Sequence, residues 1–152
     1  MNLCLAAASL VVHLGTSSMT LAWTHSVQKT VWEEDWRATA KGLVLDEARV
    51  QGSGAGMDPP PDARFTRGVW AWTPHLPPLP EVVLRRSGAT ADWRVCTSAP
   101  IGEAGASAPS MAGSVRACRP MSTLVPADAD PVRLILCPTG PEPAAPGGAP
   151  RR

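Results

Sequence analysis

The sequence predicts a mostly disordered, irregular chain without a globular fold. Only two short N-terminal helices, at about residues 3–14 and 31–41, and a rudimentary antiparallel β element at about residues 69–97 are expected to be ordered. Leu, Ile, Val and Phe together supply 29 of the 152 residues, so few large apolar side chains are available for a core. Proline and glycine contribute 17 and 13 residues, a content typical of low-complexity sequence.

Charge and composition exclude several classes of function. A net charge of +1 with 18% charged residues provides no field that would attract nucleic acid or an anionic membrane. No run of 18 apolar residues is present, so no transmembrane helix is predicted. The 12 arginines against two lysines are typical of a reading frame in GC-rich DNA.

Residues 1–22 form an apolar N-terminal segment with the outline of a secretory signal peptide. An apolar run from Leu3 to Leu14 is followed by small polar residues that offer cleavage sites near residue 22. The first basic residue is Lys29, however, and His13 interrupts the apolar run. The alternative is a short helix on a loose core, and the two interpretations remain open.

Residues 23–51 are predicted to form an amphipathic helical segment. Thr30 and Glu33 have the spacing of a capping box, in which each side chain satisfies a free backbone N–H. Trp32 and Trp36 recur at the spacing of one helical face. The acidic residues near the start would be stabilised by the helix dipole, so they are interpreted as a solvated helix start.

The middle of the chain combines a linker with short strands. Residues 52–67 are interpreted as a flexible Gly/Pro linker, and residues 68–97 as a region of short strands that contains three tryptophans. Ser87 and Gly88 would turn the second strand into the third as a hairpin. Such a small sheet is marginally stable by itself. The predicted strands are Val69–Thr73, Val82–Arg86 and Trp93–Thr97.

Residues 98–152 are predicted to be an Ala/Pro/Gly-rich disordered tail. Ten prolines, six glycines and 11 alanines fill 27 of these 55 positions, and such residues offer little to a packed core. One further strand, Val132–Cys137, is the exception.

The residues that could carry chemistry show no catalytic, cofactor or metal pattern. Cys4, Cys96, Cys118 and Cys137 include no C-x-x-C pair and no neighbouring His pair, so zinc-ligand spacing is absent. Removal of residues 1–22 would leave three cysteines, and scattered free thiols are therefore expected. No histidine lies beside a G-x-S-x-G turn, and we expect no enzymatic activity.

The proline-rich segment at residues 74–80 is the one part of the sequence with a pattern typical of binding to a partner domain. Pro74, Pro77, Pro78 and Pro80 bias the backbone towards the extended polyproline helix, which docks in aromatic grooves. Together with Leu79 they form a sequence similar to the PPLP ligands of WW domains, and the spacing of the prolines also fits SH3 domains. The expected partner-binding residues are Pro74, Pro77, Pro78, Leu79 and Pro80.

Three functional interpretations follow from the sequence. The leading one is a poorly structured product of a GC-rich open reading frame, with no biochemical activity that the residues reveal. The second is a small secreted protein that acts by contact after removal of residues 1–22. The third is an intracellular adaptor that binds a WW or SH3 domain. The six tryptophans are expected to cluster loosely, without a derivable ligand.

Overall fold

The computed structural model describes residues 1–25, 27–52, 58–98, 106–109 and 115–138, with the backbone alone at 106–109, 115 and 116. Within these residues the chain forms 12 antiparallel β-strands and one 3-10 turn, and no α-helix. The prediction of a mostly disordered chain with N-terminal helices was therefore wrong. The predicted helix at 3–14 is a pair of strands, and the one at 31–41 is a single long strand.

Four strands form the smaller sheet, in the order β2-β1-β12-β8, with every neighbouring pair antiparallel. The short β1–β2 hairpin places the N-terminal segment in this sheet, next to the last strand of the chain. The bounds of these strands are β1 Leu3–Ala7, β2 Leu10–His13, β8 Glu81–Leu84 and β12 Val132–Leu136.

Eight strands form the larger sheet, in the order β10-β11-β9-β3-β4-β5-β7-β6. Its centre is the long β3-β4-β5 meander, whose register shifts by a bulge between Asp35 and Trp36. The bounds are β3 Ser18–Thr24, β4 Val31–Thr39, β5 Gly42–Gln51, β6 Arg64–Thr66, β7 Val69–Trp72, β9 Arg94–Thr97, β10 Ala106–Pro109 and β11 Val115–Pro120.

The predicted short strands lie close to real ones, but their pairing differs from the expected hairpin. β8 belongs to the smaller sheet and β9 to the larger one, so the segment around Ser87 and Gly88 connects two sheets. The predicted disordered tail contains β10, β11, the 3-10 turn Met121–Thr123 and β12. Its residues 99–105, 110–114 and 139–152, and linker residues 53–57, lie outside the described part.

The core consists of buried side chains from both sheets and the 3-10 turn. Alternation along each strand directs every second side chain to this layer, which explains how a chain with few large apolar residues still builds a core. The turn residue Met121 and nearby Val125 contribute to the same cluster. The main contributors from the strands are Leu3, Leu5, Val132, Leu134 and Leu84 on the smaller sheet, and Met19, Leu21, Trp36, Leu43 and Val95 on the larger.

Among the described residues, no helix has the length and apolar character that crossing a bilayer requires.

Candidate functional site

Four tryptophans form a continuous cluster on the larger sheet, here called the tryptophan cluster: Trp23, Trp32, Trp72 and Trp93. The rings of Trp23 and Trp32 are stacked with centroids 5.9 Å apart, and Trp93 tilts against Trp23 at 4.8 Å. Trp72 meets Trp32 edge-on at 6.2 Å. Trp23, Trp72 and Trp93 are half-buried, so this aromatic surface remains accessible in part.

Strand register assembles the cluster from distant parts of the sequence. Trp23 on β3 lies directly opposite Trp32 on β4, and such cross-strand aromatic pairs stabilise a sheet. Ala48 on β5 pairs with Trp72 on β7, and its small side chain lets the Trp72 ring approach Trp32. The cluster depends on pairing between strands that are distant in the sequence, so no local sequence motif predicts it.

Two buried polar atoms beside the cluster have no hydrogen-bond partner among the described residues. They are the indole Nε1 of Trp32, a residue only 6% exposed, and the hydroxyl Oγ1 of Thr30. Thr30 precedes β4 by one residue, so alternation places it on the same side of the strand as Trp32. An unsatisfied buried polar group costs about 1–3 kcal/mol, so a hydrogen-bonding group that reached these atoms would remove that cost.

Glu34 adds a carboxyl group to the same side of β4. Its Oε2 accepts a hydrogen bond from Nε1 of the core residue Trp36 at 3.0 Å. Burial raises the pKa of Glu34, and the hydrogen bond from Trp36 opposes this rise only partly. The carboxyl group therefore stays protonated to a higher pH than an exposed glutamate, and in that form it both donates and accepts hydrogen bonds.

A small cavity of about 90 Å³ adjoins the cluster. The loop between β8 and β9 forms its polar wall, which is held by a bidentate pair between Arg86 and Asp92 with both distances at 2.9 Å. Burial alone would raise the pKa of Asp92, but hydrogen bonds from Arg86 and Ser122 outweigh it and lower that pKa. The cavity is lined by Trp23, Arg85, Arg86, Ser87, Gly88, Thr90, Ala91, Asp92 and Trp93.

The opposite side of the β3-β4-β5 meander carries a buried charge cluster around Arg49. This guanidinium group, 2% exposed, bonds Glu33 at 3.0 Å, Asp35 at 2.8 and 2.9 Å, and Glu47 at 2.6 Å. Burial alone would lower the pKa of Arg49, but these carboxylates raise it. Of the acidic residues that suggested a solvated helix start, Glu33 and Asp35 thus pair with an arginine on the next strand, whereas Glu34 lies on the other side of β4. We interpret this cluster as structural because all three nitrogens of its guanidinium group bond carboxylates.

The predicted partner-binding segment is the connection from β7 in the larger sheet to β8 in the smaller one. Pro77, Pro78 and Pro80 are exposed and Pro74 is half-buried. Leu79 is half-buried, packs on the core, and pairs with Leu43 through its own N–H and carbonyl group. Docking of this segment on a WW or SH3 domain stays a prediction.

The expectation of free thiols was wrong. Cys4 is bonded to Cys137, and Cys96 to Cys118 on the neighbouring strand. The expectation assumed that cleavage would remove Cys4, but Cys4 lies in β1 at the centre of the smaller sheet. All four cysteines are therefore engaged.

Sequence reasoning missed Thr30, Trp32 and Glu34 as neighbours on one side of a strand. The signal was present as alternation at positions 30, 32, 34 and 36. The same tryptophans also fit a helical spacing, and the capping-box pattern favoured the helix.

The fold and the site define a disulfide-linked, antiparallel two-sheet β protein with an aromatic cluster on its larger sheet. Residues 19–100 match the family described as Domain of unknown function (DUF1850). The match covers more than half of the chain, and the protein belongs to this family. Comparisons with curated proteins and with solved structures gave no match.

Proposed function

We propose that the protein is a non-enzymatic binding module that holds a glycan on its tryptophan cluster. The observation that carries the proposal is the buried, unpartnered indole N–H of Trp32 within a cluster of four tryptophans. A ligand that supplies a hydrogen-bond acceptor there, together with apolar surface for the rings, would satisfy both features.

A sugar matches this site in both respects. The C–H faces of a pyranose ring provide apolar surface for packing on the half-buried rings of Trp23 and Trp72. Its hydroxyl groups donate and accept, so they complement the Trp32 N–H, the Thr30 hydroxyl and the Glu34 carboxyl. Polar groups placed in an otherwise apolar site are what orient a small ligand.

Binding fits the arrangement of carboxyl groups better than catalysis does. Glycoside hydrolysis generally uses two carboxyl groups on either side of the scissile bond. On the cluster side of β4, the strand residues that the structure describes offer one carboxyl group, that of Glu34. The Asp92 carboxylate in the adjoining cavity is already held by Arg86. Glu33 and Asp35 point to the other side, where they bind Arg49.

The two disulfides favour an oxidising compartment, because cytosolic thiols are kept reduced. We therefore propose that the protein works outside the reducing cytosol, and that residues 1–22 are retained because Cys4 is bonded to Cys137. Tryptic digestion without reduction should yield a cross-linked pair of peptides that contain Cys4 and Cys137. A mature chain that begins near residue 23, or a Cys4 thiol that reacts with iodoacetamide before reduction, would contradict this proposal.

The test of glycan binding is a printed oligosaccharide array, followed by titration of the bound sugars with tryptophan fluorescence as the signal. Trp23→Ala and Trp72→Ala should each weaken binding by about tenfold or more, since tryptophans at the centre of a binding site contribute most. The comparison variant is Trp70→Ala, because the ring of Trp70 packs against Phe65 on the edge strand β6.

Two results would overturn the glycan proposal. One is the absence of binding to every sugar on the array by folded wild-type protein. The other is a sugar affinity that is the same in Trp23→Ala and Trp72→Ala as in Trp70→Ala. Tetramethylammonium, titrated in parallel, probes an organic cation at the same rings. A response to this cation without any response to sugars is a case of the first result and contradicts the proposal in the same way.

The exposed prolines of the β7–β8 connection support docking on a WW or SH3 domain as a separate proposal, which is an alternative to the location outside the cytosol. Replacement of Pro77, Pro78 and Pro80 by Ala should abolish capture of the protein by an isolated WW or SH3 domain. Equal capture of this variant and the wild type, or no capture of either, would end this proposal.

A further inference from the structure

A histidine lies beside the disulfide that links β1 to the residue directly after β12, its neighbour in the smaller sheet. The sulfur atoms of Cys4 and Cys137 and a ring nitrogen of His13 all lie within 4.8 Å of one another. Strand pairing creates this arrangement, because Cys4 on β1 lies directly opposite His13 on β2. The Cys137 N–H donates to the Asn2 carbonyl group at 2.9 Å, and this hydrogen bond holds Cys137 beside Cys4.

We infer that reduction of the Cys4–Cys137 disulfide converts this group into a zinc site. The two thiolates and the imidazole would be the protein ligands, and a water molecule would complete the tetrahedron. Zinc commonly binds Cys and His in such sets, and three protein ligands leave one position open. His13 is exposed and Cys137 is half-buried, so the open position faces solvent.

A dithiol is the reductant that the conversion requires. Its thiolate attacks Sγ of Cys137, the more exposed of the two cysteine residues, and forms a mixed disulfide while the Cys4 thiolate leaves and takes up a proton. The second thiol of the reagent, after losing its proton, attacks the reagent's sulfur in the mixed disulfide and releases the Cys137 thiolate, which takes up the second proton. The reagent ends as a disulfide and has supplied both electrons. Zinc then displaces the two thiol protons.

The scaffold keeps the three ligands together after the bond is broken. β1 pairs with β12 on one side and β2 on the other, and these ladders do not depend on the disulfide. Leu3 and Leu5, which flank Cys4, are fully buried in the core. The reduced sulfurs are therefore held close to each other and to His13.

The test uses the full chain, reduced with dithiothreitol, freed of reagent under anaerobic conditions, and titrated with zinc against a chromophoric chelator. One zinc per reduced chain is expected, and none for the oxidised protein. Loss of groups that merely orient ligands weakens metal binding about 10–100-fold, so His13→Ala should weaken it by about 100-fold or more. His75→Ala is the matched control, because His75 is exposed and its ring faces Asp62 in another part of the chain.

Two cysteine variants make the assignment specific. Reduced Cys96→Ser/Cys118→Ser should still bind one zinc, whereas reduced Cys4→Ser/Cys137→Ser should bind none. Thiols of an unfolded chain would bind zinc with equal affinity in His13→Ala and His75→Ala, and that equality would overturn the inference. Zinc binding by the oxidised protein would overturn it as well.

Discussion

The backbone groups of Leu43 and Leu79 bond each other in both directions. The Leu43 N–H donates to the Leu79 carbonyl group at 2.7 Å, and the Leu79 N–H donates to the Leu43 carbonyl group at 2.8 Å. This isolated bridge joins the chain that leaves β7 to the beginning of β5. It guides the proline-rich connection from the larger sheet to the smaller one and closes the core at that point.

Gly42 makes this close approach possible, and Gly42→Ala should therefore destabilise the protein. A Cβ atom at position 42 would lie 2.5 Å from the Leu79 carbonyl oxygen, and φ is +129°. We expect the free energy of unfolding to fall by about 2–4 kcal/mol, because steric and backbone strain combine. Gly15→Ala is the control, since φ is positive there as well but an added Cβ atom would meet no other part of the described chain within 4 Å. Urea denaturation measures both variants. If Gly42→Ala and Gly15→Ala lost the same free energy of unfolding, the close approach of Gly42 to Leu79 would not be the cause.

Arg49 is expected to be the most sensitive charged residue of the fold. Arg49→Met removes the guanidinium group that joins Glu33, Asp35 and Glu47, and breaking a buried ion pair from one side costs about 3–5 kcal/mol. The matched control is Arg37→Met, whose pair with Asp46 is nearly half exposed and therefore contributes little to stability. Chemical denaturation measures both. A loss for Arg49→Met no larger than that for Arg37→Met would show that the carboxylates are stabilised in another way.

Glu34 should make the stability of the protein depend on pH in an unusual direction for an acid. The pKa of Glu34 in the folded protein is raised above the ordinary value of 4.5. The stability that the protonated carboxyl group contributes is therefore fully present below pH 4.5. As pH rises through the higher folded pKa, the buried carboxyl group must ionise and stability is lost. Glu34→Gln should therefore be more stable than the wild type at neutral pH, with the difference vanishing as the pH falls towards 4.

Thermal melts across this pH range measure the effect of Glu34→Gln. Glu81→Gln, at a half-exposed position on β8, serves as the control for removing one negative charge from the protein. If both variants changed stability in parallel at every pH, burial of Glu34 would not be the cause.

Strands were predicted correctly where neighbouring residues alone indicate a strand. They were missed where only pairing with a strand distant in the sequence decides the structure. The runs that became β7, β8, β9 and β12 are rich in β-branched and aromatic residues, so their neighbours alone indicate strands. In β4, Trp32 and Trp36 fit both a helical period and the period of two, and only pairing with β5 decides between them. The partner of Glu33 is Arg49, 16 residues away, which no capping-box pattern reveals.

The candidate site depends on the same long-range pairing. Trp23, Trp72 and Trp93 are separated by up to 70 positions in the sequence. They join one cluster only through the register of five neighbouring strands, β9, β3, β4, β5 and β7. The unpartnered Trp32 N–H is a property of packing, so composition could not indicate it. The two disulfides likewise follow from register: Cys96 lies opposite Cys118 on β9 and β11.

The two disulfides should differ in their contributions to stability. Cys4–Cys137 closes a loop with a sequence separation of 133, and Cys96–Cys118 one of only 22. Restriction of the unfolded chain grows with loop length and corresponds to about 5 kcal/mol for the longer loop and about 3 kcal/mol for the shorter one. Cys4→Ser/Cys137→Ser should therefore reduce the free energy of unfolding more than Cys96→Ser/Cys118→Ser. Urea denaturation of both variants measures the difference, and the reverse order would mean that strain or residual structure in the unfolded chain outweighs loop entropy.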